Sequence, residues 1–245
     1  LTDNNTVGSV NSGPQGTVAS FVAANSESLS RNTVDGLAEW TVSGWVYIDG
    51  ESDSVNILTN HNTWANQLNV AVGVVNRRIT CYVGDGAAYA GGGDSVDVEL
   101  GSWHHVVAWY TASDKKVRFS RNGGAFTFAS DALAGSLYTA AGTLRLGGDA
   151  DLLGEQADGL LGSVGIWSGV LPPSERVSLF NSGAGKRYAD LTAGEKTGLV
   201  SYWDLSETSG TRVDSHGSND LTDNNTVGSV INAGAAMDGA AASFV

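Results

Sequence analysis

The decapeptide Leu-Thr-Asp-Asn-Asn-Thr-Val-Gly-Ser-Val occurs twice, at residues 1–10 and again at 221–230. The likeness continues loosely: Pro14 to Val22 parallels Met237 to Val245, with three extra residues in the second copy. Solenoid repeats recur every 20–50 residues or so. A spacing of about 220 is instead the size of a whole domain. The chain therefore reads as one full period and the start of another, as in a protein that carries this module in tandem. Two copies of one segment cannot occupy one place in one fold, so the second has to be accommodated elsewhere.

Between the copies run short segments rich in Val, Ile, Trp, Tyr, Phe and Thr, separated by Gly, Asn, Asp and Ser clusters, the pattern of strands and turns. The strand-like runs are 17–23, 40–48, 55–58, 68–75, 78–83, 95–98, 103–110, 116–120, 125–128, 143–146, 160–167 and 199–205. Asn122-Gly123 tolerates positive φ at both residues and predicts a tight hairpin. Pro172-Pro173 opening and Gly183 closing predict one short helix, and 191–198 a second helical turn. About a dozen regularly spaced strands imply an all-β sandwich or barrel.

Composition narrows the function. Thirteen Lys and Arg stand against 26 Asp and Glu, for a net charge of −13. Nucleic-acid binding relies on cations that neutralise phosphates, so it is excluded, as is attraction to anionic membranes. No apolar run reaches the ~18 residues of a membrane span. The single cysteine, Cys81, lies in a strand-like run and reads as a buried, inert thiol. The chain does not begin with Met and shows no signal peptide, which fits a mature chain or an excised fragment.

Four stretches carry a family resemblance. They are Thr41-Val42-Ser43-Gly44-Trp45-Val46, Gly101-Ser102-Trp103-His104-His105-Val106, Leu146-Gly147-Gly148 with 158–176, and Gly198-Leu199-Val200-Ser201-Tyr202-Trp203-Asp204-Leu205. Together they resemble the laminin-G-like and concanavalin A-like lectins of bacterial and phage surface proteins. The resemblance implies an all-β, concanavalin A-like jelly-roll sandwich of two antiparallel sheets with one or two short helices. In that family the Tyr-Trp strand opens the domain, whereas here it follows the helix. Residues 1–190 thus resemble a sandwich lacking its first strand, 191–198 a linker, and 199–245 the first strands of the next copy. Alternatively, 199–205 completes this sandwich or a neighbour's.

Catalysis is not expected. The fold's retaining hydrolases place carboxylates as Glu-x-Asp-x-Glu, and Glu51-Ser52-Asp53-Ser54-Val55 lacks the second Glu. His104 and His105 are strand neighbours and face opposite sides. Candidate ligand-binding residues are His61 and Trp64, in an amide-rich stretch suited to stacking on a sugar, and Tyr89 in a Gly-rich one. Calcium is the candidate ion, because hard cations take oxygen ligands, with Asp149, Asp151 and Asp158 as its candidate ligands. Tyr202, Trp203, Leu205, Leu221 and Val227 are the candidate contacts to another copy of the module. Two readings follow: a non-catalytic extracellular or surface-associated binding and adhesion module for a glycan or protein, or a repeated structural unit of a filament, fibre or virion appendage.

Overall fold

The computed structural model describes residues 13–14, 16–32, 36–51, 55–60, 70–138, 142–148 and 157–232. In chain order the strands are β1 (Gly16–Phe21), β2 (Ser28–Asn32), β3 (Trp40–Ile48), β4 (Val55–Asn60), β5 (Val70–Val75), β6 (Arg78–Gly84), β7 (Tyr89–Gly93), β8 (Ser102–Thr111), β9 (Lys116–Arg121), β10 (Phe126–Ala129), β11 (Thr143–Gly147) and β12 (Gly159–Ser168). Helix α1 (Pro173–Phe180) follows, then β13 (Leu199–Trp203), β14 (Thr222–Asn224) and β15 (Gly228–Asn232).

They form two antiparallel sheets. One runs β10-β9-β8-β3-β12-β1-β15, with β13 also paired to β12; the other runs β14-β2-β11-β4-β5-β6-β7. The strongest sequence signals form the centre of the first sheet. β3 and β8 pair over their lengths, from Trp40 opposite Tyr110 to Ile48 opposite Ser102. Between the sheets lies one core, which includes Val42, Ile57, Leu58, Ile79, Cys81, Val106, Phe119, Leu144, Leu161 and Val164. Burial pushes the Cys81 thiol well above its ordinary pKa, which keeps it protonated. The six tryptophans in predicted strands, Trp40, Trp45, Trp103, Trp109, Trp167 and Trp203, are all buried.

Local chemistry sets the boundaries. Asn122 and Gly123 take φ of 52° and 67° and turn β9 into β10. Helix α1 has Pro173 at its start, where a missing N–H costs nothing, and stops at Asn181 in the left-handed region. Before β13, the Thr192 amide donates to Glu195 Oε2 at 2.7 Å and the Glu195 amide donates to Thr192 Oγ1 at 3.1 Å. These paired bonds cap the helical turn expected at 191–198.

Several segments depart from the sequence pattern: the strands at 28–32, 222–224 and 228–232 were not expected, and two others differ for reasons that can be read. Residues 95–98 form no strand; Val98 is buried and its amide donates to Arg77 O at 2.7 Å. Conversely, Tyr89–Gly93 is a strand at the edge of its sheet. At Gly91 the backbone leaves no room for a side chain: a Cβ there would lie 2.3 Å from Cys81 O.

Residues 199–232 pack in cis. β13 lies along the second half of β12, with Val164 opposite Trp203 and Gly165 opposite Tyr202. β14 edges one sheet beside β2, and β15 edges the other beside β1. Trp203, Leu205, Leu221 and Val227 join the main core. Asp214 ties this segment together. Burial opposes its charge, but backbone amides of Tyr202, Gly217, Asn219 and His216 overcome that and hold its pKa below the carboxylate range.

Trp203→Ala is therefore expected to cost about 3–5 kcal/mol of stability in equilibrium unfolding; a change within about 0.5 kcal/mol would place 199–205 outside the sandwich. Because the Asp214 pKa is depressed on folding, its contribution is complete above about pH 4 and fades as pH falls through the folded-state value. Asp214→Asn should lower stability at neutral pH and flatten the acid limb of the stability profile; an unchanged acid limb would contradict this account.

Candidate functional site

An open cleft on one sheet face brings an aromatic pair, an apolar lip and two carboxylates together. It holds about 350 Å³ and is lined by Ser20, Phe21, Val22, Tyr47, Asp49, Trp103, Asp158, Gly159, Leu160, Val230, Ile231 and Asn232. Four neighbouring strands, β15, β1, β12 and β3, with β8 beyond, bring these residues to one face. Along β3 side chains alternate between faces, so Trp45 and Tyr47 share the side away from the main core, and Trp103 of β8 sits opposite Tyr47.

The floor is an aromatic pair. Tyr47 and Trp103 have ring centroids 5.7 Å apart, tilted by 52°. Gly13 lies against Trp103 so closely that a Cβ there would come within 2.4 Å of the indole. Trp103 is consequently buried, while Tyr47 is half-buried and keeps an accessible edge. Burial raises the Tyr47 pKa and the Asp49 charge adds to it, so the phenol is a hydrogen-bond donor at neutral pH. Asp49 and Asp158 supply acceptor oxygens at the rim. Val22, Val230 and Ile231 form an exposed apolar lip, with Ile231 78% accessible.

Such a site presents an apolar surface beside carboxylates, the complement of a ligand with both C–H faces and hydroxyl donors. A second cleft of about 420 Å³, lined by Trp109, Phe126, Arg176 and Val177 among others, has no carboxylate in its lining. The Arg176 guanidinium lies 3.9 Å above the Trp109 ring and covers that aromatic face.

The residues expected from sequence are dispersed. Tyr89 is exposed at the start of β7, edge-on to Tyr82 with centroids 6.0 Å apart. Pairing register puts it at the end of the sheet where β4 leads toward β5. His61 and Trp64 belong to that connection and lie outside the described residues, as do Asp149 and Asp151. Asp158 is exposed and sits in the cleft. Among the described residues no group of three or more His, Cys, Asp or Glu side chains is placed to hold a metal ion. Tyr202, Trp203, Leu205, Leu221 and Val227 are all buried in this chain's own sandwich. Sequence reasoning missed Tyr47, Asp49 and the β15 wall. The available signal was Tyr47, two residues after Trp45 in a strand and two before a carboxylate.

The two histidines face opposite sides as expected. His104 Nε2 is 2.9 Å from Glu99 O, and His105 Nε2 is 2.8 Å from Ser43 Oγ. Both members of the Ser43–His105 pair are buried, and burial lowers the His105 pKa to about 3. An imidazole so weakly basic is a poor base for a serine nucleophile. Glu51, in the stretch compared with hydrolase carboxylates, is exposed and pairs with Arg77 at 3.4 Å.

A laminin-G family model, described as the concanavalin A-like lectin/glucanases superfamily, matches residues 19–175. The chain belongs to that superfamily. The match runs from β1 into α1, so β13–β15 lie beyond it although they complete the same sandwich. No curated protein sequence matches the chain. Among solved structures, a protein from Bacteroides ovatus assigned as carbohydrate binding is similar at a TM-score of 0.64 and 15% identity, over 89% of this chain and 60% of its own. A SAP-like pentraxin from Limulus polyphemus gives 0.55 and 14%, over 68% and 82%. The CBM40 domain of the Ruminococcus gnavus IT-sialidase, bound to α2,3-sialyllactose, gives 0.51 and 13%, over 71% and 100%. At these identities the likeness is one of fold. No helix among the described residues is long and apolar enough to cross a membrane.

Proposed function

We propose that this chain is a non-catalytic glycan-binding module of an extracellular, tandem-repeat protein. The observation that carries the proposal is the cleft with Tyr47 and Trp103 at its floor and Asp49 and Asp158 at its rim. Sugars offer apolar C–H faces that pack on aromatic rings and vicinal hydroxyls that donate to carboxylates. The carbohydrate-binding description of the Bacteroides protein and the sialyllactose complex of CBM40 support the same class of ligand.

Several features support a binding role over catalysis. A glycosidase needs one carboxyl group held protonated at working pH. Among the described residues, the carboxylates with shifted pKa values, Asp85, Asp114, Glu195 and Asp214, are all shifted down. At Glu195 burial works the other way, but bonds from Lys186, Thr192 and Ser178 outweigh it. The acidic, Lys- and Arg-poor composition suits an extracellular setting.

The duplicated decapeptide favours a second reading, a repeated structural unit of a surface filament or fibre, because tandem copies need a means of joining. Calcium remains part of the first reading. Asp158 stands at the cleft rim, immediately beyond the stretch that contains Asp149 and Asp151.

A glycan array should return a defined set of bound sugars. Tyr47→Ala and Asp49→Asn should each weaken the best of them about tenfold or more with little change in melting midpoint. No hit across the array, or hits indifferent to both substitutions, would overturn the proposal. If calcium binds, excess calcium should raise the melting midpoint above that in EDTA; equal midpoints would remove it.

A further inference from the structure

β14 and β15 act as a clasp across one side of the sandwich. β14 pairs with β2, the next strand inward in its sheet, and β15 with β1, the next inward in the other. The segment between them brings Val227 into the core, and Leu221 enters just before β14. Around it the bonds are specific. Asn224 Nδ2 donates to Ser30 Oγ at 2.9 Å, and Asn225 Nδ2 donates to Ser26 O at 2.8 Å. Asp223 accepts from the Gly210 amide at 3.1 Å and the Val227 amide at 2.8 Å. The buried Arg212 guanidinium donates to Val227 O at 2.9 Å.

Every clasp residue in those contacts recurs in the N-terminal decapeptide: Leu1, Asp3, Asn4, Asn5 and Val7 stand for Leu221, Asp223, Asn224, Asn225 and Val227. Connectivity also permits the exchange. In β15, Asn232 pairs with Gly16. Its counterpart in the N-terminal copy is Ser12, which leaves only residues 13–15 between the two strands. Three residues are a common hairpin loop, and such loops often carry a left-handed residue; Gly13 already has φ of 106°. The C-terminal copy, by contrast, reaches the same place at the end of a chain that has run through the whole domain.

We propose that the edge formed by β1 and β2 is a strand-acceptor site with two interchangeable occupants, and that Leu1–Val10 of the same chain fills it when Leu221–Val230 is withdrawn. The withdrawn copy then matches the equivalent edge of a second module, so adjacent modules can be joined through a segment that each already binds. The inference is independent of glycan binding. It also couples closure to the cleft: Ile231 of the exposed lip would be replaced by Asn11.

The test is a four-chain comparison of melting midpoints: the full chain, L221D/V227D, L1D/V7D, and all four substitutions together. In the unsubstituted background, L1D/V7D should shift the midpoint by less than about 1 °C. In the L221D/V227D background the same pair should lower it by about 5 °C or more, because it then removes buried apolar contacts. Equal effects in the two backgrounds would overturn the proposal, as would loss of cooperative melting in L221D/V227D itself. On gel filtration L221D/V227D should elute as a monomer; folding only as a dimer would place the occupant on another chain and contradict closure in cis.

Discussion

The pairing along β12 is the constraint on which the rest of the sandwich depends. One edge of this ten-residue strand is taken by β3 from Leu160 to Ser168. The other edge is divided. β1 takes 159–161, and β13 takes 164–167. Between them the register with β3 shifts, from Gly162 opposite Trp45 to Gly165 opposite Ser43, and Ser163 takes a φ of 49°. Such a bulge adds a residue on one strand and bends it, which lets two strands distant in sequence share one edge. Without β13, the backbone groups of 164–167 would face an unpaired edge.

That division links the fold to the candidate site. β1 fixes the position of β15, and β15 supplies Val230, Ile231 and Asn232 to the cleft whose floor is built from β3 and β8. The Asn232 side chain reaches back to Pro14 O at 2.8 Å. The segment that closes the sandwich is therefore also one wall of the cleft, and a change in what closes the edge changes the surface offered to a ligand.

Much of this architecture was legible in the sequence. β3, β8 and β12 are long and rich in aromatic and β-branched residues, and their tryptophans are buried as the pattern implied. The hairpin at Asn122-Gly123 and the helix opened by the prolines followed from backbone chemistry, although the helix stops at Asn181, before the Gly183 expected to close it. Strands at and next to the sheet edges were less visible. Ser28–Asn32, one strand in from its edge, and Tyr89–Gly93, at the opposite edge, are held by ladder bonds rather than apolar alternation. The cleft was harder still, because it joins Tyr47, Trp103 and Ile231 through pairings that only the register defines. Tyr89 is exposed, but it stands on a strand at a different place from that cleft.

Residues 199–232 are an integral part of this chain's own sandwich. Amide hydrogen exchange on the full chain in dilute solution measures this directly. The amides of Leu199–Trp203 should exchange as slowly as those of β12 and β3, because their opening then requires opening the central sheet. Exchange of Leu199–Trp203 at the rate of an unstructured chain, beside slow exchange in β12, would contradict it.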